Sequence, residues 1–362
     1  MANPIRTGVV GYGAAAQFMH LPFLSTMPEY RILSILERQH EYSREKFPSV
    51  RLVRTLEELL SDSEIELVII TTPNDTHLDY TRRALRAGKH VVLEKPFTIH
   101  SSEALELIEL AEKTGRILSV FQNRRYVNDF LTIQKILSEK LLGEIVEFEG
   151  HYDRYRPGPK PNAWREENKP GSGILYDLGA HLIDQALFLF GIPETVTADV
   201  RMQRPHAQID DYFDLRLDYG YLRVILKGCM LVREPGPRYQ IHGTLGSYIK
   251  SGEDPQEALL RAGFLPTQAH WGEEPEESWG ILHTEINGLL IREKYPTLPG
   301  DFGRYYRKLY ESIRQGMPVS EKPEHGFNSI RIIELALESN QQKVTVKCSG
   351  LLSVSYGVPE SI

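Results

Sequence analysis

The first third of the chain alternates short, almost wholly apolar runs with segments whose apolar residues recur at helical spacing. Ile5 to Val10, Arg31 to Leu36, Leu67 to Ile70, His90 to Leu93 and Ile117 to Val120 read as strands. Their apolar character is continuous rather than alternating, as expected of strands buried on both faces. Leu56 to Leu60, Thr76 to Ala87 and Ser102 to Lys113 read as helices between them, with Gly88 and Gly115 placed as C-terminal caps. This rhythm predicts a parallel sheet covered by helices on both faces.

The pattern changes after a linking helix, Phe130 to Glu139. From Glu144 the strands lengthen: Ile145 to Arg154, Val196 to Met202, Tyr212 to Tyr219 and Leu222 to Met230. Gly179 to Phe190, Phe302 to Gln315 and Gly326 to Gln341 are the helical exceptions, and Ser349 to Ile362 reads as a loosely held end. Strand runs after alternating units predict a separate α+β domain with a large, mainly antiparallel open sheet. The expected division is an α/β dinucleotide-binding (Rossmann) domain over residues 1–125 and an α+β substrate-binding and oligomerisation domain over 126–362. Arg156 to Gly173 carries four prolines and three glycines and is a long irregular loop, a kind that is often functional.

Composition narrows the function classes. A chain of 362 residues suits two domains, and 41% hydrophobic with 25% charged residues is ordinary globular usage. The net charge of -7 offers no general attraction to nucleic acid or an anionic membrane. Cys229 and Cys348 stand far apart and outside any Cys-x-x-Cys pair, which speaks against a disulfide framework or a zinc cluster. No window reaches the run of about 18 apolar residues that a spanning helix needs, and MANPIRTGVVGYG lacks the apolar core of a secretory leader. A cytoplasmic protein is expected, with no metal.

Three constellations carry chemistry. Gly11-Tyr12-Gly13-Ala14-Ala15-Ala16 follows the first strand and fits the G-x-G-x-x-G/A dinucleotide fingerprint. Gly11 permits the tight turn, Gly13 lets backbone approach a pyrophosphate, and the helix start supplies free N–H groups. About 20 residues on, Glu37 is placed to accept a hydrogen bond from the adenosine ribose, favouring NAD. Arg38 is placed to pair with a 2'-phosphate, favouring NADP. The loops Thr71-Thr72-Pro73-Asn74-Asp75-Thr76-His77 and Glu94-Lys95-Pro96-Phe97 leave the carboxyl ends of strands, where ligands of doubly wound sheets bind. Lys95 is held between an apolar strand and a proline. In Gly173-Ile-Leu-Tyr-Asp177-Leu-Gly-Ala-His181-Leu-Ile-Asp184, helical spacing puts Asp177, His181 and Asp184 on one face, a pairing suited to general acid/base work.

GYGAAA, TTPNDTH, EKPF and SGILYDLGAHLIDQ, in that order, resemble the Gfo/Idh/MocA family of oxidoreductases, and the likeness runs from Ile5 to about Lys347. SVFQNRR, LTIQKIL, HYDRYRP and WREE are most similar to its NADP-linked scyllo-inositol dehydrogenase branch. The resemblance implies an NAD(P)-dependent enzyme acting on a secondary alcohol of a cyclitol or sugar, with Lys95, Asp177 and His181 as catalytic residues. It implies cofactor contacts from the Gly11 turn (including Tyr12, Gly13 and Ala15), from Glu37, Arg38, Thr72, Pro73, Asn74, His77 and Glu94, and from Asn123 of FQNRR. Trp164 and Arg165 resemble a segment that closes over the cofactor in some members. Ala16 and Glu37 depart from the pattern, the second against the NADP-linked branch. A homodimer or homotetramer is expected, since an open sheet leaves one face to cover. The competing readings are a dinucleotide-sensing regulator without catalysis and a reductase for another sugar carbonyl.

Overall fold

β1 (Ile5–Val10), β2 (Tyr30–Leu36), β3 (Arg51–Val53), β4 (Leu67–Ile70), β5 (His90–Leu93) and β6 (Leu118–Val120) form one sheet in the order β3-β2-β1-β4-β5-β6. Every neighbouring pair is parallel. This is the Rossmann order, and it places the turn after β1 where the strand order reverses. Val9, Val10, Leu67 to Ile70 and Val91 to Leu93 are fully buried, as their unbroken apolar runs imply. Gly88 and Gly115 take the left-handed conformation expected of caps (φ 73° and 61°). The hydrophobic pattern does not predict β3, which has three residues and buries only Val53.

The computed structural model describes residues 3–160 and 163–356; Pro161, Asn162 and the end of the Ser349 to Ile362 segment lie outside them. Two compact units emerge. The first holds the chain up to Tyr126 together with Pro255–Trp271 and Asp301–Phe327, so the expected division at residue 125 marks only the first of several crossings. Aromatic packing explains the return. Tyr305 packs edge-on against Phe121 with centroids 4.8 Å apart, and Tyr306 against Tyr30 at 5.4 Å. The Tyr30 hydroxyl donates to the Tyr306 carbonyl (2.6 Å). Gln256 fastens the other inserted segment, its Oε1 accepting from the Phe302 N–H (2.8 Å) and the Trp271 indole N–H (3.1 Å).

Arg314, on the helix Gly303–Gln315, grips Glu66 just before β4 with two bonds of 2.9 Å. Burial alone would raise the Glu66 carboxyl, but Arg314 and Arg6 hold it down at about 2. A depressed carboxylate stabilises above its unfolded value and loses that contribution as pH falls through the folded one. Glu66→Gln is therefore expected to cost about 1 kcal/mol at neutral pH, with the gap to the parent closing between pH 4.5 and about 2. Unfolding by denaturant across that range checks it; a constant gap contradicts the pairing.

The second unit holds β7 (Ile145–Asp153), β8 (Thr195–Arg201), β9 (Tyr212–Tyr219), β10 (Leu222–Cys229), β11 (Tyr239–Gly243), β12 (Gly246–Lys250), β13 (Gly280–Ile286), β14 (Leu289–Tyr295) and β15 (Val346–Lys347). Their order is β14-β13-β12-β11-β7-β10-β9-β8-β15, with only β7 and β10 running parallel. Alternation is clean: Phe148 and Tyr152, Phe213, Leu215 and Leu217, Val224 and Leu226, Tyr239 and Ile241 are buried. Phe148 meets Phe190 of the helix Ala180–Phe190 with centroids 5.4 Å apart, which places that helix on the apolar face. The opposite face carries half-buried charge. Lys227 reaches Glu149 (3.3 Å) and Asp214 (3.9 Å), and His151 lies between Glu149 and Asp153 (3.2 Å each). No helix among the described residues is long and apolar enough to cross a membrane.

Candidate active site

The glycine-rich turn starts where β1 ends. Gly11 adopts φ 98°, closed to most side chains, and its N–H donates to the Leu36 carbonyl (3.1 Å). A Cβ on Gly11 would lie 3.0 Å from the Thr71 hydroxyl, so the first and second motif loops touch here. A Cβ on Gly13 would meet nothing within 4 Å. Backbone at Gly13 is thus open to a ligand, as a pyrophosphate requires. Ala16 is fully buried, which shows the third fingerprint position packing inward with room for a methyl. Ala15–His20 then winds as a wide π-helical turn, not directly into an α-helix, and Gln17 ties it back to the Tyr12 carbonyl (2.8 Å). Tyr12 and Ala15 are half-buried beside this opening. These features fit a dinucleotide phosphate.

At the end of β2, the Glu37 carboxylate accepts from the backbone N–H groups of Tyr42 (3.1 Å) and Ser43 (2.8 Å), while Arg38 is exposed. The other two loops are bolted together by His77. Its buried ring faces the Pro96 carbonyl (2.9 Å) through Nδ1 and the Thr72 carbonyl (3.0 Å) through Nε2, and burial pushes the imidazole down. Thr76 reaches the Thr72 hydroxyl (2.7 Å) just beyond Pro73, and Asn74 is buried in the same loop.

Lys95 follows Glu94 and precedes Pro96 through a cis peptide bond. One Glu94 oxygen accepts from the Lys95 backbone N–H (3.0 Å) and the other from His20 Nε2 (2.9 Å). Burial would raise Glu94, yet its hydrogen bond to His20 and the Lys95 charge leave it below the ordinary range. His20 is itself buried and receives the Tyr306 hydroxyl at Nδ1. Tyr306, His20 and Glu94 therefore form a buried chain ending at the backbone of Lys95. Sequence reasoning missed His20, which lies in no motif. Asn123 is buried in the turn after β6, with its amide against Met19 sulfur (3.9 Å).

In the second unit, Asp177 and His181 do not share one regular helix. Asp177 lies in a π-helical turn, Leu175–Gly179, and His181 in the first turn of Ala180–Phe190, with Asp184 further along. Such wide turns recur at functional sites. Gly173 makes this one possible: a Cβ there would fall 1.9 Å from Asp210 Oδ1, and its φ is 87°. Asp210 accepts from the Leu175 N–H (2.8 Å); burial pushes its carboxyl up to about 6, against the pull of that N–H. Asp210 supports the Asp177 turn from a loop remote in sequence, and no local pattern announces it. Arg165 Nε reaches Asp177 (3.3 Å), with its guanidinium over the Trp164 ring (4.3 Å). The Tyr152 ring lies 6.3 Å from that of His181, and the buried Arg238 guanidinium covers Tyr152 at 3.3 Å. Among the described residues no cluster of three or more His, Cys, Asp or Glu is arranged to hold a metal ion.

Comparison with known proteins agrees with this geometry. The description "Oxidoreductase family, NAD-binding Rossmann fold" matches residues 5–122, and "Oxidoreductase family, C-terminal alpha/beta domain" matches residues 134–348. The chain is 45% identical to scyllo-inositol 2-dehydrogenase (NADP(+)) IolW of Bacillus subtilis, over 95% of this chain and 96% of that protein. It is 41% identical to the oxidoreductase YdgJ of Escherichia coli, over 96% and 99%. Among solved structures, the yvaA protein of Bacillus subtilis superposes with a TM-score of 0.93 at 45% identity, covering 96% of this chain and 99% of that one. The YPO2259 protein of Yersinia pestis gives 0.90 at 40% identity, covering 96% and 98%. A glycine turn open to a pyrophosphate and matches to both family descriptions lead to one conclusion: the chain belongs to the Gfo/Idh/MocA family and is an NAD(P)-dependent oxidoreductase.

Proposed function

We propose that the enzyme transfers hydride between NADP(H) and a secondary alcohol or ketone of a cyclitol or related polyol. One observation carries this reading: Lys95, Asp177 and His181 occur together in a chain 45% identical, over 95% of its length, to a scyllo-inositol 2-dehydrogenase (NADP(+)). The nicotinamide supplies the hydride chemistry when bound. His181 takes the hydroxyl proton during oxidation and returns it during reduction. Lys95 polarises the substrate oxygen and stabilises its alkoxide character. Asp177 hydrogen-bonds a neighbouring hydroxyl and so selects the reacting carbon, and Arg165 steadies that carboxylate.

The exposed guanidinium of Arg38 favours NADP. Arg38→Ala is expected to weaken NADP+ more than NAD+, by about 1 to 3 kcal/mol for a lost charge-assisted bond. Titrating both cofactors checks this, and equal losses would mean that Arg38 only stacks on adenine. The charged open face of the second sheet is assigned to subunit contact, giving a dimer or a dimer of dimers, and light scattering at micromolar concentration tests it. The free thiols of Cys229 and Cys348 suit the reducing cytoplasm.

Inositol isomers and other polyols, assayed separately with NADP+ and NAD+ through the absorbance of reduced nicotinamide, test the activity. Tight cofactor binding without turnover of any of them would replace the enzyme by a dinucleotide sensor.

A further inference from the structure

We infer that Glu37 is a positioning residue for NADP, fixing the turn that presents Arg38 to the 2'-phosphate, and is not an acceptor for the ribose hydroxyls. The inference rests on the NADP reading above. A carboxylate closing β2 of a dinucleotide fold accepts ribose hydroxyls only while its oxygens face the ligand. In this protein both oxygens are engaged. Oε1 accepts from Ser43 N–H (2.8 Å), Oε2 from Tyr42 N–H (3.1 Å), and the residue is 6% exposed. Its negative charge is directed at two backbone dipoles inside the turn.

A second residue holds the same turn from outside. Arg54 donates to the Glu37 carbonyl (3.0 Å) and the His40 carbonyl (2.6 Å), and its other nitrogen pairs with the Glu41 carboxylate. The His40 and Tyr42 rings stack at 4.7 Å. Residues 37–43 are thus pinned by an anion within and a cation without, and Arg38 to Tyr42 are exposed along the turn, with Arg38 carrying its one guanidinium. A guanidinium on a fixed backbone suits a phosphate monoester, which takes two charge-assisted bonds and loses little freedom in doing so. A bare 2'-hydroxyl gains much less from it. The acidic residue that ordinarily signals NAD at this position serves the opposite preference when it faces its own loop.

The two roles predict opposite signs. Dissociation constants of NADP+ and NAD+ are measured by calorimetry for the parent protein, Glu37→Ala, Glu37→Gln and Arg54→Ala, with thermal unfolding run alongside. Glu37→Ala is expected to weaken NADP+ roughly five- to twentyfold, as for loss of an ordered charge-assisted contact, while NAD+ changes little. Glu37→Gln, able to accept one of the two N–H groups, falls between parent and alanine. Arg54→Ala, altered at a partly exposed side chain, reproduces the NADP-selective loss and decides the matter if Glu37→Ala does not fold. Tighter NADP+ with weaker NAD+ in Glu37→Ala identifies a ribose acceptor and overturns the inference. Equal losses of both cofactors also overturn it, since they show general support of the adenosine site. A parent protein that prefers NAD+ removes the NADP reading itself, a failure visible before any variant is made.

Discussion

Replacing His181 by alanine is expected to lower kcat by roughly 100- to 10,000-fold, the usual scale for a general acid/base, with cofactor affinity nearly intact. His181 is buried in the first turn of Ala180–Phe190, directly after the π-helical turn that carries Asp177. To take a proton from the substrate hydroxyl its imidazole must be neutral, so the oxidative rate rises with pH through one ionisation and then levels. Reduction needs the protonated ring and runs the other way. The measurement is the pH profile of kcat/KM for polyol oxidation in parent and variant. An ionisation that stays unchanged in His181→Ala assigns the proton to another group, Lys95 first.

Lys95→Met is expected to be at least as damaging, on the order of 1,000-fold in kcat, because it removes the charge proposed to meet the developing alkoxide. The effect depends on where the ammonium is held. Glu94 receives the Lys95 backbone N–H, His20 receives support from Tyr306 and passes it to Glu94, and Pro96 follows directly. This backbone is fixed before any ligand arrives, as electrostatic preorganisation requires. Lys95→Arg keeps the charge but spreads it over a planar fork of different reach, and full activity is not expected to return. Single-turnover hydride transfer separates this loss from product release; a transfer rate equal to the parent's would remove Lys95 from the chemical step.

The parallel sheet was legible because a strand buried on both faces is a largely continuous apolar run, and β1, β4 and β5 span the residues expected from their sequences. The far side of the second sheet was not legible. β12 carries Lys250 into the core, paired with Glu274 (3.1 Å) and donating to the Ser251 and Ser278 carbonyls (2.7 and 2.9 Å). β14 is exposed or half-buried at every position. A buried lysine and an edge strand without an apolar face both break the alternation that identifies half-buried strands. The motif residues could be read because glycine turns and helical spacings are local. Asp210, His20 and Arg54 could not, since each acts through a partner distant in sequence. Glu37 was legible as a residue at its position, but the direction of its carboxylate depends on a turn that only the fold specifies.

Tyr305 and Tyr306 have a bearing on how the protein is made. At an elongation rate of about 5 to 20 residues per second, on the order of ten to forty seconds separate the emergence of Tyr126 from that of Tyr306. Throughout that interval the nascent nucleotide unit has its whole strand–helix run but lacks the rings that cover Phe121 and Tyr30. Newly made chains therefore leave that apolar surface uncovered until the helix Gly303–Gln315 has been translated. A premature stop ahead of Asp301 would cripple nucleotide binding even though every residue of the glycine-rich turn had been translated.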